Sequence, residues 1–425
     1  FLLNWSPDSR RLITTSHFAS SMRMWNVATG KCQWLAIPFK ARAESLVFSS
    51  SGQIIDGDRE VVEAELRYLV EKPNGAMEMV NFTDFQERYA NVLVAAEGER
   101  LQLLSQSGST EEAADALNNL LAFRYSNDPQ VHNLLVENLR AVGNRYVYGK
   151  KYDEAVVVLS EAITLGRTLV ETYGDNQLYR HNLLESLSLR SISHRHGRRC
   201  DEAVADASEA IRIDASYADA YINRATAYLC QHRHRDAKAD FVKCAELQPN
   251  NAILAYDQAI LNLAVGDYEG YQTAATAMVE RFAKTADPDT AHWVAWTCLL
   301  APGAFSDPTL PLGLAELATK AEPKSLSYAQ TLGAALYRAG RYSEALTQFT
   351  ELAERWNHEG LVEGSRTSPA YTEYFLSMTH EQMGHRQKAT HHFRNGVRLH
   401  EIECSKSAAW NRRMTLDLFR TEAEV

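Results

Sequence analysis

A chain of 425 residues exceeds the size at which a single hydrophobic core stops growing, so more than one structural unit is expected. Acidic residues outnumber basic ones by 54 to 44, which argues against nucleic acid as the main partner. The six cysteines are scattered without a C-x-x-C pair, as reduced structural cysteines in a cytoplasmic protein are. Apolar runs all fall short of the roughly 18 residues that a membrane-spanning helix needs. No signal peptide is visible, which leaves a segment upstream of Phe1 open.

Residues 1–58 read as short strands divided by turn signals: LLNW, then SPDS (Ser6 to Ser9), two strand-like runs, and ATGK (Ala28 to Lys31). The pattern resembles a WD40 propeller blade. Trp25 stands at the tryptophan position and Asn26 replaces the usual aspartate, while Ala19 or Ser20 occupies the place of the aspartate that braces the preceding turn. SLVFSSSGQIIDGD (Ser45 to Asp58) is a second partial match. A propeller needs about four to eight blades to close. Fewer than two blades, and a start at Phe1, imply the carboxy-terminal piece of a longer protein.

Residues 59–130 read as a connector. It holds a helical segment EVVEAELRYLV, a turn at Lys72 to Gly75, a short strand AMEMVNF, and a helix TDFQERYANVLVAA that Thr83 can cap. A further helix starts at Ser109 or Thr110, where two glutamates suit the helix dipole.

From residue 131 to 403 a helix-turn-helix module recurs. Its cleanest copy starts at Ala218 and places Tyr221, Ala225, Tyr228, Ala237, Phe241 and Pro249 at large, small, large, small, large and helix-stopping positions. Leu187, Ser191, Ala203 and Ala210 repeat the frame one period earlier. Leu332, Gly333, Leu336 and Phe349 repeat it later. The period of about 34 residues and these positions resemble the tetratricopeptide (TPR) repeat, an α-solenoid unit. Two antiparallel helices approach closely only where one offers a small residue, and one pair cannot bury its apolar face alone. Some six or seven copies begin near Val136, Leu184, Ala218, Ala252, His292, Leu326 and Ala370. Residues 404–425 read as a capping helix. The expected fold is therefore mostly α, an α-solenoid of TPR helix pairs with a small amino-terminal β segment.

Departures from the frame are expected to show in the structure. The run from Ser160 to Gly174 has no stop, which predicts an extended helix. Tyr271 stands where alanine is expected and should push its helices apart. Ala301 to Pro311 holds three prolines and reads as a connection, and Gly360 to Pro369 as an insertion.

In TPR arrays the first helix of each pair lines the inner surface. The corresponding positions here are Arg140, Asn144, Tyr148, Glu185, Ser188, Arg195 and His196 in the early copies. In the later copies they are Tyr256, Ile260, Trp293, Trp296, Tyr337, Arg338, Tyr371 and Tyr374. Aromatics and arginine carry much of the energy of interfaces, so this face is the candidate groove for a peptide or protein. For Trp293 and Trp296, burial in the core competes evenly with exposure in the groove. Arg140 and Asn144 fit the start of a chaperone carboxylate clamp, but Leu189 and Asp219 stand where asparagine and a basic residue are required.

Catalytic signals are weak. HRDAKADF (His234 to Phe241) echoes a kinase catalytic loop, but Phe241 replaces its metal-binding asparagine and no D-F-G follows. His194 with His196, His232 with His234, and His391 with His392 lack the i, i+4 spacing of a helical zinc site, so no metal or cofactor is expected. The order of segments, with His292 to Pro302, Ser327 to Leu346 and Trp410 to Glu424, resembles large bacterial regulatory proteins in which a serine/threonine kinase domain precedes the repeats. That resemblance implies the regulatory part of a signalling protein. The expectation is a noncatalytic protein-interaction scaffold; the alternative is a fragment of a kinase whose catalytic domain lies upstream and contacts this array.

Overall fold

The computed structural model describes residues 110–424 except 127, 283, 304–306, 360–366 and 406–408. Before residue 110 it describes the strands given below and helical residues 90, 94, 95, 98, 99 and 101–104. The chain divides into two compact units, Phe1–Gly149 with Val157–Leu183, and Lys150–Val156 with Leu184–Val425.

In the first unit, strands β1 (Leu2–Trp5), β2 (Arg11–Ser16), β3 (Ser21–Asn26), β4 (Lys31–Pro38), β8 (Leu66–Glu71) and β9 (Met77–Val80) form one sheet in that order. Strands β5 (Leu46–Phe48), β6 (Ile54–Asp56) and β7 (Arg59–Glu60) form another. The helix expected over EVVEAELRYLV is corrected here: β7 and β8 occupy its ends, with Tyr68 opposite both Ala36 of β4 and Val80 of β9. Leu66, Tyr68 and Val70 alternate along the chain, and this period of two outweighed the helical reading. Six strands in one sheet exceed the four of a propeller blade, so the strand order does not by itself carry the propeller reading. The SPDS turn, Ala19, Ser20 and most of the helix expected after Thr83 lie outside the described residues.

Helix α1 spans Thr110–Leu121 and α2 spans Pro129–Tyr148. The latter opens ahead of the Val136 frame because Asp128 accepts the Gln130 N–H at 2.8 Å and Pro129 takes the first helical position. Helix α3 follows over Tyr152–Thr172 and α4 over Gln177–His196. In this unit α2 and α3 meet at Gly143, where a Cβ would stand 2.5 Å from the Leu159 side chain.

The second unit continues with α5 (Cys200–Ile213), α6 (Ala218–Cys230), α7 (His234–Leu247), α8 (Ala252–Ala264) and α9 (Tyr268–Phe282). After these come α10 (Pro288–Leu299), α11 (Thr309–Ala321), α12 (Leu326–Arg338), α13 (Tyr342–Glu359), α14 (Pro369–Gln382), α15 (Arg386–Ser405) and α16 (Trp410–Ala423). Consecutive helices pair, first with second, from α4–α5 to α14–α15, and α16 stands outside the pairing. Ala225, Ala237 and Phe241 are buried together, and a Cβ on Gly333 would come within 2.7 Å of the Phe349 ring. These are the close approaches that the alternation of small and large residues requires.

The repeat also fixes polar detail. Arg190 forks onto Asp206 with contacts of 2.9 and 2.6 Å, and Arg224 forks onto Asp240 with contacts of 2.8 and 2.6 Å. Both pairs join first helix to second at the same register, one period of about 34 residues apart. The turn between paired helices has one left-handed residue, filled by Gly266 (φ 77°) and Gly340 (φ 72°) but by Arg198 and His232 (φ 59° and 58°) in the earlier turns.

The departures take specific forms in the structure. Tyr271 is fully buried and threads between elements, its hydroxyl donating to the Thr297 carbonyl at 2.8 Å and accepting from the Ala301 N–H at 3.3 Å. Pro311 lies in the first turn of α11 and not in the connection, because a first-turn proline gives up no intrahelical hydrogen bond. The expectation of reduced cysteines fails at Cys200 and Cys230. The start of α5 and the end of α6 bring their Cα atoms to 6.2 Å, and the two form a disulfide.

A histidine in left-handed conformation pays a steric cost that glycine does not. His232 is exposed, so His232→Gly, relieving about 1–2 kcal/mol of left-handed strain against a glycine entropy cost of about 0.5–1 kcal/mol, is expected to raise stability by about 0.5–1 kcal/mol; chemical denaturation of the two proteins measures it.

Candidate functional site

The expected inner-surface positions fall into two sets. On α2, Tyr148 is 82 % exposed, and Arg140 and Asn144 are half-buried. On α4, Arg195 is half-buried beside the exposed His196, whose ring stacks on Tyr152 at 4.7 Å. Glu185 accepts the Tyr217 hydroxyl at 2.7 Å, Ser188 is buried near the same hydroxyl, and Asp219 is exposed on α6.

The later set is covered by the chain itself. Helix α16 lies along α8, α10, α12 and α14, the first helices of four successive pairs, and its amino-terminal end reaches α7. Starting there, the Trp410 ring packs 5.2 Å from Phe241. The Asn411 amide donates to Asp257 at 3.1 Å, and the Thr415 and Tyr256 hydroxyls share a hydrogen bond of 3.0 Å. Phe419 enters a socket made by Trp296 (5.6 Å), Tyr371 (5.4 Å) and Phe375 (4.9 Å). At the far end Glu422 pairs with Arg338, whose guanidinium also donates to the Leu299 carbonyl at 3.0 Å.

Burial follows from this arrangement. Tyr256, Ile260, Trp296, Tyr371 and Tyr374 are buried. Trp293 is half-buried against the Tyr256 ring at 5.0 Å, and Tyr337 packs on Phe375 at 5.6 Å. Tyr374 turns toward the second helix of its own pair, its hydroxyl 3.0 Å from His400 Nδ1, so it belongs to the interior of the pair more than to the shared face. Sequence reasoning missed Trp410, Asn411, Thr415, Phe419 and Glu422, which it assigned to a capping helix. The available signal was their stripe: 411, 415, 419 and 422 fall on one face of a helix, while the exposed 413, 417, 421 and 424 fall on the other.

The histidine pairs do not converge. His232 sits in its turn and His234 opens α7, with rings 6.4 Å apart. His194 accepts from Arg199 at 3.1 Å. His392 pairs with Glu373 at 2.8 Å and stacks on His380, which also meets His385 at 3.3 Å between ring nitrogens. Among the described residues, no group of three or more histidine, cysteine or acidic side chains is arranged to hold a metal ion. In HRDAKADF, Ala237 and Phe241 are buried packing residues, Asp236 pairs with Arg233 at 2.8 Å, and Asp240 pairs with Arg224. No helix among the described residues is long and apolar enough to cross a membrane.

No family model matches the chain, and no curated protein matches it. Solved structures that resemble it include a tetratricopeptide repeat protein from Parabacteroides merdae. It is 12 % identical over 67 % of this chain and 98 % of that one, with a TM-score of 0.40. The Pseudomonas aeruginosa protein PilF is 15 % identical over 57 % and 99 %, with a TM-score of 0.35. YrrB, described as a TPR protein with an unusual peptide-binding site, is 17 % identical over 55 % and 91 %, with a TM-score of 0.30. At these scores the likeness carries no inference about partner or mechanism.

Two buried groups in the second unit titrate in opposite senses. Burial pushes the Asp257 carboxyl up to about 7. Burial, then His392, Lys388 and His385, press the His380 imidazole down to about 4. Folding therefore holds a proton on Asp257 that the unfolded chain releases, and stability falls as pH rises from about 4 to 7. It also excludes a proton from His380 that the unfolded chain binds, and stability rises with pH from about 4 to 6.5. The two slopes, each about 1.4 kcal/mol per pH unit at most, offset one another between pH 4 and 6.5. Asp257→Asn is expected to leave a rising limb and His380→Gln a falling one, read from denaturation midpoints between pH 4.5 and 7.5.

Proposed function

We propose that the chain is a noncatalytic interaction scaffold that holds a protein or peptide against the face formed by the first helices of its pairs. The observation that supports this is the seating of α16. One continuous surface contributed by α8, α10, α12 and α14 accepts a helix remote in sequence from α8, through an aromatic socket, an ion pair and two side-chain hydrogen bonds. Large aromatics with arginine in a desolvated setting are the side chains that dominate protein interfaces.

In this reading Tyr148, exposed on α2, with the half-buried Arg140 and Asn144 on the same helix, and the half-buried Arg195 on α4, are contact positions of their respective units. Tyr256, Trp296, Arg338 and Tyr371 meet a partner only where it takes the place of α16; Trp293 and Tyr337 flank that face, and Tyr374 faces its own pair. The placement of the array in a larger signalling protein, behind a propeller and a serine/threonine kinase domain, rests on the sequence resemblance alone. A glycine-rich loop, H-R-D and D-F-G upstream of Phe1 would decide it.

Capture from a native lysate by the full chain tests the scaffold reading. Tyr148→Glu and Asp219→Lys change exposed side chains, so melting temperature should move by no more than about 2 °C. At least one of the two is expected to deplete a saturably captured protein tenfold or more. Identical capture by both variants and the parent chain would sink the groove assignment.

A further inference from the structure

We propose that the face of α8, α10, α12 and α14 is a helix-binding groove, that α16 is its resident occupant in cis, and that a partner's amphipathic helix with the same stripe competes for it. The stripe is an aromatic anchor, then an amide or hydroxyl one to five residues on, a second aromatic about nine residues after the first, and an acid three residues later. This deepens the scaffold reading above and rests on it.

Four features of the molecule carry the inference. First, the groove contains charged and polar groups whose complement is on α16. Arg338, with its side chain only 12 % exposed, pairs with Glu422, and Asp257 accepts from Asn411. A buried charge stripped of its partner is strongly destabilising, so this face demands an occupant. Second, α16 is a weak helix by itself. It spans 14 residues, near the lower limit for helices in water, its Ala409 N-cap provides no side-chain hydrogen bond, and its first turn has no acid. Third, α16 meets this face through few anchors: Thr415, Leu416 and Phe419 are its buried residues, and Leu416 and Phe419 enter the core of the pairs they lie on. Fourth, the two faces of α16 differ, with Arg413, Asp417, Thr421 and Glu424 exposed opposite the buried stripe, while Asp417 lies 3.5 Å from His400 and Arg413 donates to the Cys404 carbonyl of α15. This is how a docked amphipathic ligand looks, read by anchors at i, i+4 and i+8.

A tethered occupant acts at an effective concentration on the order of millimolar, so a free helix of equal intrinsic affinity is masked by it. Weakening α16 should unmask the groove. The probe is a fluorescent peptide of residues 409–424, titrated into the full chain and into full-chain Phe419→Glu and Glu422→Arg, with helicity followed by circular dichroism. Glu422→Arg creates no cavity, so it stands in if Phe419→Glu fails to fold. Peptide binding at least tenfold tighter to a folded variant than to the parent chain is the expected result. An Arg338→Glu chain should then prefer the Glu422→Arg peptide over the parent peptide by tenfold or more.

A folded variant that binds the peptide no better than the parent overturns the proposal, as does indifference to the charge exchange. Loss of the array's helices on Glu422→Arg makes α16 a core element and overturns it too. Because the assay uses a peptide and not a captured protein, it can fail while the lysate experiment succeeds, and the reverse.

Discussion

Every helix pair depends on one constraint: two antiparallel helices can close on each other only where a small residue meets a large one. Gly333 lies under the ring of Phe349, Gly143 under Leu159, and Gly396 under Tyr374. Adding a methyl group at any of these places an atom inside contact distance of a packed side chain, and packed interiors have little slack. The spacing of small residues therefore sets the distance between paired helices, and that distance in turn sets which residues remain for the next pair. Tyr271 shows how a violation is absorbed. It stands where a small residue is expected, and its hydroxyl reaches the end of α10, so the extra bulk joins one pair to the next.

Pairing leaves a second problem unsolved. Once the sides of the first helices are buried, their remaining faces form a common surface, and in the later pairs this surface is rich in aromatics. Exposed, it would be a large apolar patch with a buried arginine and a buried acid inside it. Helix α16 removes that cost by laying Phe419 into the socket of Trp296, Tyr371 and Phe375, by presenting Glu422 to the Arg338 guanidinium and by donating the Asn411 amide to the Asp257 carboxyl. The early pairs carry polar groups at corresponding positions, including Glu185 and Asp219, which tolerate water. One architecture thus presents a covered aromatic face and, in other pairs, an accessible polar one.

Smaller features follow the repeat as well. The arginine forks onto Asp206 and Asp240 recur because the same register returns each period, and they end where Gln258 and Ala274 replace the arginine and aspartate. The left-handed turn position is occupied by glycine in some pairs and by Arg198 or His232 in others, which shows that geometry and not residue preference fixes that conformation. Two of the histidines that looked like candidates for chemistry are explained in this way, by a turn and by a helix start.

The sequence by itself determined the helix pairs, their approximate starts and the residues of closest approach, because those depend on spacing within about 34 residues, which periodicity records directly. It also picked out the first-helix positions Tyr256, Trp296, Arg338 and Tyr371 as one face. Only the tertiary structure decided what lies on that face, since Trp410 and Phe419 meet Phe241 and Trp296 across more than a hundred residues with no shared period to announce it. The same limit hid the Cys200–Cys230 disulfide, whose partners become neighbours only when α5 and α6 stack, and it turned the Leu66–Val70 end of EVVEAELRYLV from helix to strand through pairing with β4 and β9. Local pattern specifies contacts within a repeat; contacts between distant segments are chosen by which surfaces the folded array leaves uncovered.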